Sequence, residues 1–388
     1  MGDGTSKIGD GLHGTPEYTE NGEVAFINGN NLVNGKIVIN NQTSFVTNKQ
    51  QSKKDAELND NTILMSINGT IGNLAYYKGE KIMLGKSAAF IEVNSFNKKF
   101  IYQLLQTYKI RNHFLNSLTG TTIKNLGLKT IRETPILVPK LDEQEKIGSF
   151  LERLDNNIAL HQDKLEKLMQ LKKSYLQLMF PQKGEKVPRL RFAHFSSDWE
   201  QCKLRETAES FEYGLNASAT NYDGENKYLR ITDIDDESRM FIKDRLTSPE
   251  FEFEKADNYL LKQDDILFAR TGASVGKTYR YDKKDGKVYY AGYLIRARIK
   301  SVYNTEFIFQ NTLTDRYDTF IRITSQRSGQ PGVNANEYGS FEIFVPIFEE
   351  QTKIGTFLKK IDNIIAFHQK KVSTLQETKK LYLQKMFA

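Results

Sequence analysis

Apolar residues recur at alternating steps of four and three over two long stretches of the chain. The first runs Ile147, Leu151, Leu154, Ile158, His161, Leu165, Leu168, Lys172, Tyr175, Met179; the second runs Ile354, Leu358, Ile361, Ile365, His368, Val372, Leu375, Lys379, Tyr382, Met386. A sustained period of 3.5 is that of a helix with one narrow apolar seam, so the pattern predicts two helices packed on one another as a coiled coil. Each is expected to span roughly 55 Å, at about 1.5 Å rise per residue. The predicted seam contacts are Ile147, Leu151, Leu154, Ile158, Leu165 and Leu168 against Ile354, Leu358, Ile361, Ile365, Val372 and Leu375. His161 and His368, and likewise Lys172 and Lys379, interrupt both seams at matching places. Polar residues in a seam usually fix register and orientation at a cost in stability.

The two stretches are copies. Asp142–Phe180 aligns with Glu349–Phe387 at an offset of 207 (387 − 180), and 22 of the 39 positions are identical without a gap. Upstream of the first copy, turn formers separate short apolar runs. Strands are predicted at Val24–Ile27, Ile37–Ile39, Thr62–Ile67, Lys81–Leu84 and Ala88–Val93, and a helix over Phe100–Phe114. Pro139 precedes the first long helix and Pro181 ends it; the prolines, glycine and basic residues of PQKGEKVPRLRF then read as a linker. The second half repeats the plan: TILMSINGTIG aligns with DILFARTGASVG, and the segments before each long helix align as well, with most positions changed.

The predicted organisation is α+β with a pseudo-twofold internal repeat. A globular domain occupies 1–140, a spacer helix 141–180, a linker 181–192, a second globular domain 193–347 and a second helix 348–388, the helices forming an antiparallel coiled coil. A faithful scaffold bearing two divergent heads suits a protein with two different recognition surfaces. Duplex DNA, with its local twofold symmetry, is a target that such an arrangement matches.

Charge and chemistry narrow this reading. Net charge is +7 with 27% charged residues of both signs, compatible with a polyanion partner. The one cysteine, Cys202, excludes a disulfide framework and a Cys-based zinc site. Nothing resembles a signal peptide or a membrane-spanning run, and the expected location is the cytoplasm. GASVGKT (Gly272–Thr278) resembles a phosphate-binding loop but has three residues, not four, between its first glycine and the Gly-Lys pair. No Pro-Pro occurs, so an adenine methyltransferase motif is missing; the five histidines have no metal-ligand spacing, and no catalytic residues are assigned.

Candidate DNA contacts are Arg, Lys, Asn, Gln, Ser and Thr on loops, since phosphates take cations and small donors while base edges take bidentate side chains. In the first domain these are Asn28, Asn30, Asn31, Asn68, Thr70, Lys86, Thr119, Thr121, Thr122 and Lys124. In the second they are Arg230, Thr232, Arg270, Thr271, Ser274, Lys277, Gln326, Arg327, Ser328, Gln330 and Asn334. Taken singly, each is also an ordinary turn or solvated residue; as a set they gain weight because the same loops recur in both halves. The lysine-rich helix faces, including Lys172 and Lys379, read first as solvated.

A variable domain followed by P-x-L-x-E-Q-x-K-I-x-x-F-L-x-x-[LI]-D and a long helix, all repeated, resembles the specificity subunit of Type I restriction–modification systems. The pattern stands at Pro139, Leu141, Glu143, Gln144, Lys146, Ile147, Phe150, Leu151, Leu154 and Asp155. It stands again at Pro346, Glu350, Gln351, Lys353, Ile354, Phe357, Leu358, Ile361 and Asp362, with Phe348 in place of the leucine. The resemblance implies a non-catalytic subunit whose two target recognition domains each read half of a bipartite double-stranded DNA sequence. It implies helices that set the gap and dock two methyltransferase subunits. S-adenosylmethionine, ATP and magnesium are then expected on partners, including two motor-nuclease subunits, and not on this chain. One departure is that Pro188–Leu204 has no counterpart in the first half, where Met1 aligns with Lys203, so the first recognition domain is expected to be N-terminally short. The alternative is a coiled-coil protein-interaction scaffold with two ligand-binding heads.

Overall fold

A computed structural model describes residues 1–252, 257–327 and 329–387, with 54 and 56 described by backbone alone. The chain divides into two compact units, Met1–Asp163 with Lys370–Ala388, and Lys164–Gln369. Each therefore holds the beginning of one long helix and the end of the other.

Both long helices form as the periodicity predicts, over Leu141–Met179 and Phe348–Met386. In the first unit Phe150 meets Tyr382 edge-on at 4.9 Å and Asp155 meets Lys379 at 2.6 Å. In the second, Tyr175 meets Phe357 at 4.8 Å and Lys172 meets Asp362 at 2.5 Å. Rising numbers on one helix meet falling numbers on the other in each unit, so the pairing is antiparallel. All twelve predicted seam residues are buried or half-buried. Full burial of such a side chain stabilises by roughly 1.5–3 kcal/mol.

The seam lysines differ from a solvated reading. Lys172 and Lys379 retain only 15% and 12% side-chain exposure, and each is paired with an aspartate of the opposite helix. Those aspartates also accept from a glutamine of the adjoining domain, Gln103 Nε2 to Asp155 at 2.7 Å and Gln310 Nε2 to Asp362 at 2.8 Å. The long alkyl stems lie in the seam and the ammonium groups are satisfied at its edge.

In the first unit a four-stranded antiparallel sheet runs in the order Thr5–Asp10, Ala88–Val93, Thr62–Ser66, Leu74–Tyr76. The second unit repeats it as Ala208–Tyr213, Leu294–Ile299, Asp265–Ala269, Thr278–Arg280. Even the edge irregularity recurs, between Thr5 and Lys7 and between Ala208 and Ser210. A parallel strand pair packs beyond each sheet, Val24–Ile27 with Ile82–Leu84, and Lys227–Leu229 with Val288–Tyr290. The predicted strand at Ile37–Ile39 is reduced to Lys36–Ile37. The helix predicted over Phe100–Phe114 is two helices, Lys98–Leu104 and Tyr108–Asn116, because Thr107 leaves helical geometry to cap the second with its hydroxyl. Thr314 does the same for Asp315–Thr324.

Each head is clamped to its long helix by one glutamine of the repeated motif. Gln144, 2% exposed, accepts from Asn97 N at 2.9 Å and donates to Pro139 O at 2.8 Å. Gln351 does the same with Asn304 N and Pro346 O, at 2.9 and 2.8 Å. Asn97 and Asn304 in turn cap the next helix, accepting from Phe100 N and Phe307 N. This approach is close enough that a Cβ on Gly148 would lie 2.6 Å from Phe100 N, and one on Gly355 3.0 Å from Phe307 N.

Two outcomes are expected. Gly148→Ala and Gly355→Ala gain about 1 kcal/mol of helix propensity yet lower stability, because forcing a methyl against main chain costs about 1–3 kcal/mol; a raised urea midpoint for both would contradict the clamp. Asp362→Ala removes the ion-pair partner of Lys172 and one of the two acceptors of Gln310 Nε2, the other being Glu306, and should cost about 2 kcal/mol in urea unfolding, by the weight of hydrogen bonds to charged groups, whereas Asn363→Ala next to it should be near neutral.

Candidate nucleic-acid interface

The strand Asp265–Ala269 is buried along its whole length, and the chain leaves it into a loop held by main-chain bonds. Arg270 N donates to Tyr293 O at 3.0 Å, Val333 N donates to Arg270 O at 2.9 Å, and Gly272 N donates to Pro331 O at 3.0 Å. Three loops are thereby brought together at one end of the sheet. The Arg270 guanidinium lies over the ring of Tyr213, 4.9 Å from its centroid, and the Tyr213 hydroxyl accepts from Ala335 N. Tyr213 and Tyr293 are 44% and 62% exposed. Gln330 reaches the same place: its Nε2 is the atom nearest to a Cβ built on Gly272, where φ is +68° and glycine is favoured. Arg270, Thr271 and Gln330, with the two tyrosines, make a cationic and aromatic surface suited to phosphates and bases.

The first unit builds the same loop junction from other residues. Ile67 N donates to Ser87 O at 3.0 Å and Leu126 N to Ile67 O at 2.8 Å, while Asn125 bridges both Asn68 and Thr119. Ser87 Oγ joins Asn28 Oδ1 and Gly29 N, each at 2.9 Å. Asn28, Asn68, Lys86 and Thr119 thus share one end of the sheet. Asn68 and Lys86 line a cavity of about 250 Å³ with Asp10, His13 and Asn125. The buried Asn68 Oδ1 has no hydrogen-bond partner among the described residues. Asn30, Thr70, Thr121, Thr122 and Lys124 are exposed.

Several candidates are engaged elsewhere. Asn31 accepts from Asn28 N and donates to Val38 O, closing a local turn. Arg230 is held in a two-pronged pair with Asp233, and Thr232 sits exposed in the same turn. Lys277, with 14% side-chain exposure, is paired with Asp236 at 2.5 Å. Ser274 is buried. Asn334 caps the helix Ala335–Gly339, whose Glu337 is the ion-pair partner of Arg327. Gln326 is exposed on the same loop, and Ser328 lies outside the described residues.

Sequence reasoning missed Tyr213 and Tyr293. Nothing in the sequence distinguishes them among 19 tyrosines: each adjoins a glycine, Gly214 and Gly292, but so does the buried Tyr338, beside Gly339.

Other sites carry less chemistry. GASVGKT forms a 3₁₀ turn, Gly272–Ser274, and then the strand Thr278–Arg280, whereas a phosphate-binding loop opens a helix. A cavity of about 480 Å³ in the second unit is lined by both signs of charge, among them Lys172, Arg280, Asp285 and Asp362. Burial, then Glu206 and Glu200, push the Cys202 thiol up to about 11. Among the described residues no three His, Cys, Asp or Glu side chains converge on a metal-sized space, and no helix is long and apolar enough to cross a membrane.

Comparison with known proteins bears on the whole chain. The Type I restriction–modification DNA specificity domain matches residues 10–170 and again residues 196–377. The Type I restriction enzyme MjaVIII specificity subunit of Methanocaldococcus jannaschii is 23% identical over 340 residues, covering 85% of this chain and 79% of that protein. The crystal structure of a Type I restriction–modification S subunit from M. genitalium matches in fold, with a TM-score of 0.68 over 98% of this chain and 93% of that one at 17% identity. With both halves of its sequence matched, the chain belongs to the DNA specificity subunits of Type I restriction–modification systems.

Proposed function

We propose that this chain is the non-catalytic reader of a bipartite DNA target, each head recognising one half-site. The observation that carries the reading is the repeated loop junction: one main-chain frame at the end of one sheet, holding Arg270, Tyr213 and Tyr293 in one unit and Ile67, Asp10 and Ser87 in the other. Two different chemical surfaces on a common frame suit two unlike half-sites. In the second domain the direct contacts are assigned to Arg270, Thr271, Gln326 and Gln330, and in the first to Asn28, Asn68, Lys86 and Thr119. Arg230, Lys277 and Asn334 are assigned to holding loops in place.

The paired helices serve as the spacer between half-sites and as the seat of two methyltransferase subunits. S-adenosylmethionine then binds on those subunits, and ATP and magnesium on two motor-nuclease subunits.

The founding test is a base-resolution methylome of the host with and without the gene. A split adenine-methylated motif should vanish on deletion, and an unchanged methylome would reject the reading. Within the complex, Arg270→Ala should weaken binding about tenfold or more, as for loss of a contact worth about 1–3 kcal/mol. The loss should appear for targets differing in one half-site only. Lys277→Met should leave the salt dependence of binding unchanged, since a lysine already paired within the protein releases no counterion from DNA.

A second outcome concerns the spacer. Removing seven residues from each helix, His161–Lys167 and His368–Thr374, shortens the pair by about 10 Å. The recognised gap should contract by about three base pairs at 3.4 Å each; a gap that stays the same length would assign the spacing to something else.

A further inference from the structure

We propose that the first head selects its half-site through Asp10, a carboxylate that takes a base carrying an exocyclic amino group, adenine or cytosine, and refuses thymine and guanine. The proposal rests on the assignment of the first head to one half-site, and it names the class of base that this head reads.

Asp10 stands where the second head has Tyr213. In the two four-stranded sheets Asp10 lies opposite Ala89 and Tyr213 opposite Ile295, each partner being the second residue of its strand. At this place the second unit sets the Arg270 guanidinium over the tyrosine ring, a donor surface that suits the acceptors of guanine. The first unit has the buried Ile67 in place of that arginine. Among the described residues Asp10 is the one acid lining the cavity at its loop junction. A carboxylate is repelled by phosphate. Beside duplex DNA it is stabilised by an N–H donor, and the donors of the major groove are the amino groups, N6 of adenine and N4 of cytosine.

The carboxylate is held and yet reachable. Its Oδ2 is hydrogen-bonded to His13 Nε2 at 2.7 Å, which orients it, and its Oδ1 makes no hydrogen bond among the described residues. The Asp10 side chain is 20% exposed. Lys86 lines the same cavity, is exposed, and forms no ion pair among the described residues, with Asp10 or with any other acid. A cation and an acid that share a cavity without closing on one another leave a gap with a donor on one side and an acceptor on the other. The edge of adenine, N7 beside the N6 amino group, matches such a gap. So does a cytosine–guanine pair, with N4 of one base beside O6 of the other. Thymine O4 or guanine O6 on the Asp10 side sets oxygen against oxygen, and that repulsion is the selective element.

The test is competition binding by the assembled methyltransferase complex, using duplexes in which each base pair of the first half-site is replaced in turn by every alternative. On one strand, one position should take adenine or cytosine, with thymine and guanine there weakened about tenfold or more, as for loss of one base-edge contact. Which of the two is bound identifies the amino group that is read. Asp10→Ala should flatten the discrimination at that position. Asp10→Asn, whose amide also donates, should admit thymine or guanine there, and both variants should read the second half-site unchanged. A uniform loss on every duplex would make Asp10 a structural partner of His13 and overturn the proposal, and so would a preference for thymine or guanine at the affected position. Arg270→Ala separates this proposal from the reading beneath it. If that change relaxes the second half-site while Asp10→Ala alters nothing, the head assignment stands and the proposal falls; if neither variant alters discrimination, the head assignment falls with it.

Discussion

The pairing of two copies of one helix is the constraint from which the rest follows. Because the copies run antiparallel, each gives its Asp to one unit and its Lys to the other: Asp155 with Lys379, Asp362 with Lys172. A slip by one heptad would bury two ammonium groups without partners, a large penalty beside the fraction of a kcal/mol that an exposed ion pair contributes. The apolar seam supplies the adhesion and the charged pair supplies the register. Gln103 and Gln310 extend each pair into the adjoining head, so the same contact that aligns the helices also orients the domain.

The head is then fixed by contacts that tolerate little change. Gln144 and Gln351 are buried with both amide ends bonded to main chain, and Gly148 and Gly355 let the next helix approach closely. Loss of one partner leaves a buried polar group unsatisfied, which costs more than the hydrogen bond is worth. Identity between the copies is high there, with seven of the nine positions Glu143–Leu151 unchanged in Glu350–Leu358.

The long helices were legible because their 3.5-residue period is a property of the sequence alone. The meaning of their polar interruptions was not: Lys172 has the same local sequence context whether it is solvated or paired with Asp362, 190 residues away (362 − 172). For the same reason the single helix expected over Phe100–Phe114 is two, since apolar periodicity continues across a break that the Thr107 hydroxyl decides. At the interface, residue type identified loops but not free side chains. Arg230 and Lys277 look as available as Arg270 in the sequence, yet their neighbours Asp233 and Asp236 take them. Asp233 lies three residues from Arg230, and an arginine so close to an acid in a turn is a signal that local spacing carries. Asp236 lies far from Lys277 in sequence and gives no such signal.

The loop junction explains how such a frame accommodates different surfaces. Its joints are main-chain hydrogen bonds: position 270 is held by Tyr293 O and Val333 N, and position 67 by Ser87 O and Leu126 N. Backbone donors and acceptors are common to all residues but proline, so these bonds are indifferent to the side chain that projects between them. Arginine over an exposed tyrosine stands in one unit and buried isoleucine in the other, with the fold unchanged. The apolar strands beneath, Thr62–Ser66 and Asp265–Ala269, are buried throughout and provide the rigidity that exposed side chains need to discriminate. Freedom to vary thus falls on the residues that face a partner, and the constraint falls on the strands and helices that hold them.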